Sequence, residues 1–253
     1  MNIVYGKIIS SYDKNEKYSE GTPCVINREC QNGIVFGRPK CGKTFFAKKE
    51  IKNLLKEKTN RVIVFNSQGE YNDLADCVEK KEFYFTEYDL EKKMSSGKFS
   101  GLETVRLSNL RLIIAGNKGV TSDRNISKDI DIFTEEIFGS KEHHKKYRYY
   151  LYIDEPYLHP QVREKIEEIL RKSTAWNLTV TIITKYPEDI CQWNDKEERD
   201  EQKEYSSRIY YFCNFIVDFR VRLNSSVYGV AKVLCNDYVQ NKCRDIICDF
   251  REE

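Results

Sequence analysis

Ile34-Val-Phe-Gly37-Arg38-Pro39-Lys40-Cys41-Gly42-Lys43-Thr44-Phe45 decides how this chain folds. Three apolar residues suited to a strand run into a complete Gly-x-x-x-x-Gly-Lys-Thr spacing, and Ala47, Ile51, Leu54 and Leu55 then fall at helical spacing. Strand, glycine loop and helix are the context that this phosphate-binding motif requires. Glycines at 37 and 42 let the backbone wrap closely around an anion, so that successive N–H groups and the positive end of the helix face it. The residues expected to bind nucleotide are Gly37, Arg38, Pro39, Lys40, Cys41, Gly42, Lys43, Thr44 and Phe45. Lys43 is expected to reach the β and γ phosphates of ATP, and Thr44 to place its hydroxyl on the accompanying Mg²⁺.

Along the rest of the chain, short apolar runs alternate with amphipathic stretches. The runs cover 62–65, 110–115, 149–153, 178–184, 212–221 and 227–234. Between them, Ile126, Ile130, Phe133 and Ile137 fall at helical spacing, as do Val162, Ile166, Ile169 and Leu170. This alternation predicts an α/β P-loop NTPase with a mostly parallel central sheet flanked by helices, and antiparallel additions at the termini. The 253 residues suit one large domain. Residues 1–30 read as an N-terminal strand or hairpin addition (a strand over 2–11, a polar turn at 19–23) and 31–253 as the ATPase domain. The charged block 194–204, after a short helix opened by Pro187, reads as a solvated surface.

Forty-two Lys and Arg against forty Asp and Glu leave a net charge of +2, which excludes a global field pulling the protein toward nucleic acid or membrane. Nine cysteines without a Cys-x-x-Cys pair, and only three histidines, argue against a zinc ribbon. No signal peptide is evident, and the pattern fits a reducing, cytoplasmic setting with cysteines as small buried residues; Cys243 and Cys248 are the disulfide candidates if the source is a hyperthermophile. No apolar run approaches the ~18 residues that span a bilayer, so no membrane insertion is expected.

A second motif lies at Tyr149-Tyr150-Leu151-Tyr152-Ile153-Asp154-Glu155, an apolar strand ending in two acids. At the tip of a strand beside the phosphate loop, Asp154 is expected to hold the water shell of Mg²⁺, and Glu155 to orient and deprotonate the attacking water.

Val62-Ile-Val-Phe-Asn66-Ser-Gln-Gly69-Glu70-Tyr71 resembles the strand-Asp-x-x-Gly-Glu-Tyr element of the HerA and FtsK superfamily of DNA-translocating ATPases. Residues 169–178 and the strand leading to Thr184-Lys185-Tyr-Pro187 resemble that family's basic helix end, fourth strand and sensor segment. Together with the two nucleotide motifs, the likeness covers roughly 30–220. It implies a RecA/FtsK-like fold and a Mg²⁺-dependent ATPase working as a ring, usually a homohexamer. It also implies an arginine supplied across the subunit interface, for which Arg171, Arg163 and Arg208 are candidates. Two departures stand out. Asn66 replaces the family's Asp, and Lys185 replaces the sensor Gln; an ammonium can contact a γ-phosphate but cannot accept a hydrogen bond from water. The short chain looks most like the genome-packaging ATPases of double-stranded DNA viruses, with a capsid or other mobile-element protein as partner. Double-stranded DNA would then be held by pore loops, the stretch 116–124 with Lys118 and Arg124 being one candidate.

Two other readings compete. Asp154-Glu-Pro156-Tyr-Leu-His159-Pro160 and Thr184-Lys-Tyr-Pro187 are similar to segments of ABC/OLD-like ATPases, but residues 120–148 hold no Ser-Gly-Gly signature. The Asn66 and Lys185 departures suit a nucleotide-switch assembly protein that hydrolyses ATP slowly or not at all.

Overall fold

The computed structural model describes residues 2–11, 20–28, 31–66, 70–77, 102–107, 110–115, 147–155, 160–186, 209–220, 229–237 and 242–251. Eleven strands form one sheet: β1 (Asn2–Ser11), β2 (Pro23–Asn27), β3 (Gly33–Phe36), β4 (Asn60–Asn66), β5 (Leu102–Leu107), β6 (Leu110–Ala115), β7 (Arg148–Asp154), β8 (Leu178–Thr184), β9 (Phe215–Asp218), β10 (Val230–Asp237) and β11 (Lys242–Asp249). Helix α1 (Lys43–Leu55) follows the glycine loop, and α2 (Pro160–Lys172) connects β7 to β8.

The strand order is β2-β1-β11-β10-β9-β3-β8-β7-β4-β6-β5. The six central strands from β9 to β6 run parallel. β10, β11, β1 and β2 continue the sheet antiparallel past β9, and β5 closes the other edge antiparallel to β6. Half of the pairings are therefore antiparallel, and the mostly parallel sheet expected from the sequence is corrected to a mixed one. The physical reason is the hairpin-like pairing at both edges: β10 pairs with β11, and β5 with β6, so each edge adds antiparallel ladders to the parallel centre.

At the centre of the parallel block both faces are covered, which is why β3 and β8 are buried at every position and β7 at all but its first, rather than alternating. In β7, Tyr150 and Tyr152 join the core under α1, while Tyr149, Leu151 and Ile153 join the core under α2. Ala47, Ile51 and Leu54 bury the inner stripe of α1, and Ile166, Ile169 and Leu170 that of α2, as their spacing predicts. Phe46 packs α1 further: its ring stacks on Tyr5 of β1 at 5.1 Å and meets Phe250 edge-on at 4.9 Å. The stripe 126–137, the loop 116–124, the block 194–204, Arg208 and His159 lie outside the described residues. Cys248 is a buried free thiol beside Cys24, so it does not form the disulfide with Cys243 considered from the sequence.

Candidate nucleotide-binding site

The glycine loop leaves the C-terminal end of β3 and is tied to the neighbouring strand, where the Gly37 N–H donates to the Lys185 carbonyl at 3.2 Å. A Cβ on Gly37 would lie 2.6 Å from Phe219 Cβ and 2.8 Å from Cys41 Sγ, so the close approach of the loop to Phe219, just past β9, needs glycine. Gly42 caps α1 with φ 114°, a conformation that side chains resist. It brings no side-chain cap, and the first turn of α1 carries no acid, so the leading N–H groups face outward as an anion site. Lys43 is buried, and its ammonium donates to the carbonyls of Gly37 at 2.8 Å and Arg38 at 3.1 Å. Burial pushes the Cys41 thiol up, which leaves it a poor nucleophile.

The metal side of the loop is acidic. The Thr44 hydroxyl donates to Glu70 Oε2 at 2.8 Å. Asp154, at the end of β7, is buried, and its carboxyl is pushed up to about 7, first by desolvation; Tyr71 opposes the shift, Glu155 and Glu70 add to it, and Lys43 opposes it. The Tyr71 phenol is fully buried near Asp154 and Thr44, yet completes no hydrogen bond. A buried acid held partly neutral by desolvation, with two further carboxylates adding to the shift, fits a divalent cation that would favour its ionised form. Among the described residues, no three His, Cys, Asp or Glu are grouped closely enough to chelate a metal alone. Mg²⁺ takes waters and phosphate oxygens as most of its ligands and needs few from the protein. Thr44 would be its direct protein ligand and Asp154 a ligand of its water shell.

Glu155 follows in a left-handed conformation (φ 49°), and its N–H donates to the Ile183 carbonyl at 2.8 Å. Such a conformation in a non-glycine residue costs about 1 kcal/mol or more and marks a constrained position. Its carboxylate lies 3.6 Å from the Lys185 ammonium. Lys43, Thr44, Asp154, Glu155 and Lys185 thus converge at the C-terminal ends of β3, β7 and β8. Arg171 does not. It sits in the last turn of α2, mostly exposed and paired with Glu167, while Ser173 just beyond it binds Asn32 at the start of β3. That is the opposite end of the sheet, because α2 runs back from the site to the beginning of β8. The side chain of Arg163 lies outside the described ones.

Three features escaped the sequence reading. Glu70 is the partner of Thr44, and Tyr71 is its buried neighbour; the Gly-Glu-Tyr stretch was the available signal. The third is a closed ionic cluster behind α1, where the fully buried Arg28 guanidinium meets Glu50 at 2.6 Å, donates to Thr181 Oγ1 at 2.7 Å and stacks 4.0 Å over Phe215. Tyr5 also donates to Glu50, at 2.7 Å.

No protein-family model matches the chain, and a search of curated proteins finds no match. Solved structures do resemble it. VirB4 of Thermoanaerobacter pseudethanolicus shares 11% identity over 96% of this chain and 95% of that one, with a TM-score of 0.58. ATPases 2 and 3 of EssC from Geobacillus thermodenitrificans cover all of this chain at 8% identity and a TM-score of 0.58, the match spanning 45% of that structure. The genome packaging NTPase B204 from Sulfolobus turreted icosahedral virus 2, in complex with AMPPCP, shares 16% identity over 87% of this chain and 98% of that one, with a TM-score of 0.46. At these identities the likeness is one of fold. The chain has an α/β P-loop fold, and the resemblance to HerA- and FtsK-type ATPases read from its sequence extends to the fold of VirB4 and EssC.

Proposed function

We propose that the chain is a Mg²⁺-dependent ATPase of the HerA and FtsK type that moves double-stranded DNA, in a role such as viral genome packaging. The convergence of Lys43, Thr44, Asp154 and Glu155 on one strand-end site carries the hydrolytic part. Backbone N–H groups of residues 37–44 would bind the triphosphate, and Lys43 would leave its two carbonyl partners to meet the β and γ oxygens. Bound Mg²⁺ would neutralise charge developing on the phosphates. Glu155 would take the proton of the attacking water once Lys185 swings from it to the γ-phosphate. The DNA, ring and packaging parts rest on the sequence resemblance, with the VirB4-like fold in support. An arginine from a neighbouring subunit would complete the charge stabilisation; Arg171 serves only if the ring brings the far end of α2 against the next site.

ATP turnover measured with and without duplex DNA tests this reading. Stimulation by DNA, together with assembly into a ring, is expected; DNA-independent turnover by a monomer would refute it. The Lys185–Glu155 contact favours a second reading, a nucleotide switch, because the ammonium stands where the carboxylate would face an attacking water. ATP binding without turnover, with or without DNA, would select it.

A further inference from the structure

A groove of about 960 Å³ opens at Lys43 and Thr44 and runs outward along α1 to Asn53 and Lys56. Seven Lys and Arg side chains line it, against only two carboxylates, Glu70 and Asp73. That is a local excess of five positive charges in a chain whose net charge is +2, so the rest of the molecule is net negative. Two of the cations have carboxylate partners: Lys48 meets Asp73 at 2.7 Å, and Arg251 is held by Asp249 at 2.9 Å. Even with Asp249 included, four charges remain.

A Mg²⁺-bound nucleoside triphosphate, with about two net negative charges, would neutralise the inner part. It would leave the outer part unmatched. Lys52 and Lys56 stand eight and twelve residues beyond Thr44, about 12 and 18 Å along the helix axis, one turn apart on the solvent side. Lys56 is steadied there by Asn53 Oδ1 at 2.8 Å. The inner face of the same helix is rigidly packed by Phe46, Ile51 and Leu54, so this row of ammonium groups is presented on a fixed support.

We infer that the outer groove along α1, centred on Lys52 and Lys56, binds the phosphate backbone of double-stranded DNA. This rests on the reading of the chain as a DNA-moving ATPase, and it supplies a contact distinct from the stretch 116–124. A polymer with regularly spaced phosphates matches a row of lysines that a single nucleotide leaves unneutralised, and binding of this kind carries no sequence preference. Because the groove begins at the phosphate loop, DNA held there would touch the helix whose first turn holds the nucleotide.

The test compares the full chain with Lys52→Ala/Lys56→Ala and with the charge-reversed Lys52→Glu/Lys56→Glu, both changes being on exposed side chains. A fluorescently labelled 30-base-pair duplex, titrated at several salt concentrations, reports DNA binding. A fluorescent ATP analogue reports nucleotide affinity, and sedimentation reports assembly. Duplex affinity is expected to fall about tenfold in the alanine pair and further on charge reversal, with the log K versus log salt slope shrinking by about 0.9 for each DNA phosphate that is no longer neutralised. Nucleotide affinity is expected to stay unchanged. Tight duplex binding by all three proteins with equal slopes overturns the groove assignment alone. A wild-type chain, assembled and nucleotide-loaded, that binds no duplex overturns both the groove and the DNA-moving reading. Nucleotide affinity falling in step with DNA affinity makes the groove part of the nucleotide site and overturns the proposal. Failed assembly with duplex binding intact assigns the groove to an acidic surface of a second copy and also overturns it.

Discussion

Two charged clusters sit on the same helix, about two turns apart, and the protein treats them in opposite ways. At the inner one, Glu50 is fully buried and meets Arg28 and Tyr5, while Arg28 also binds Thr181 and covers Phe215. Its charges are matched within the chain, and it ties α1 to β1, β8 and the segment after β2. At the outer one, Thr44, Glu70, Asp154 and Glu155 gather negative charge with Lys43 and Lys185 as the nearby cations, and Asp154 is driven toward its neutral form. The first cluster pairs its opposite charges inside the fold, with Glu50 Oε2 left as a buried oxygen without a hydrogen bond, whereas the second carries more acid than the chain itself balances, as a site for a cation and a phosphate chain would. The same residue types thus make a strut in one place and a binding site in the other, and the balance of charge distinguishes them.

The contrast can be attacked most strongly at Glu155. Glu155→Gln should still bind ATP, with single-turnover hydrolysis slowed by about 10²–10⁴-fold; normal turnover would remove Glu155 as the base. On the strut side, Glu50→Ala leaves the Arg28 charge buried and unpaired, and should cost about 3–5 kcal/mol in denaturant unfolding. The joint replacement Arg28→Met/Glu50→Leu should cost much less, because no uncompensated charge remains. An equal loss in both would mean that packing, not charge pairing, is what the strut provides.

Asp154→Asn should do the reverse of Glu50→Ala and stabilise the nucleotide-free protein. The folded-state value, about 7, lies above the ordinary carboxylate value, so the ionised group costs stability in full above about pH 7, and the cost fades as pH falls from there toward about 4. The gain should be at most about 4 kcal/mol at pH 8 and vanish near pH 4, as followed by unfolding across that range. A variant less stable than wild type at pH 8 would show that Asp154 is already matched. The smallest effect is expected at Glu70→Gln, which keeps an acceptor for Thr44. Mg²⁺-dependent ATP binding should weaken by about 1 kcal/mol, with binding in EDTA unaffected.

The site was more legible in the sequence than the sheet was. The phosphate loop and the Asp154-Glu155 pair are local spacings whose geometry follows from a strand, a turn and a helix start. β6 and β8 were bounded correctly because each is an apolar and β-branched run between polar stretches, and β8 is buried at every position. β11 went unread because it begins Lys242-Cys-Arg-Asp245, and only Ile246, Ile247 and Cys248 reveal its core position. β5 (Leu-Glu-Thr-Val-Arg-Leu) mixes polar and apolar residues without a clear period, and β2 looked like part of a polar turn. Antiparallel additions were expected at the termini, but with β11, β5 and β2 unread the sheet as a whole read as mostly parallel. The Arg28–Glu50 strut was hidden for another reason: Glu50 follows Lys48 and Lys49 in the sequence, so it looks like one more surface charge, and its partner is 22 residues away.

The most direct test of the central claim, that residues 37–44 cradle the phosphates of a nucleotide the chain hydrolyses, is ATP turnover by wild-type protein and Lys43→Ala side by side, with Mg²⁺ and duplex DNA present. The account predicts turnover in the wild type, loss of turnover in the variant, and weakened binding of a fluorescent ATP analogue. Undiminished turnover by Lys43→Ala would contradict it.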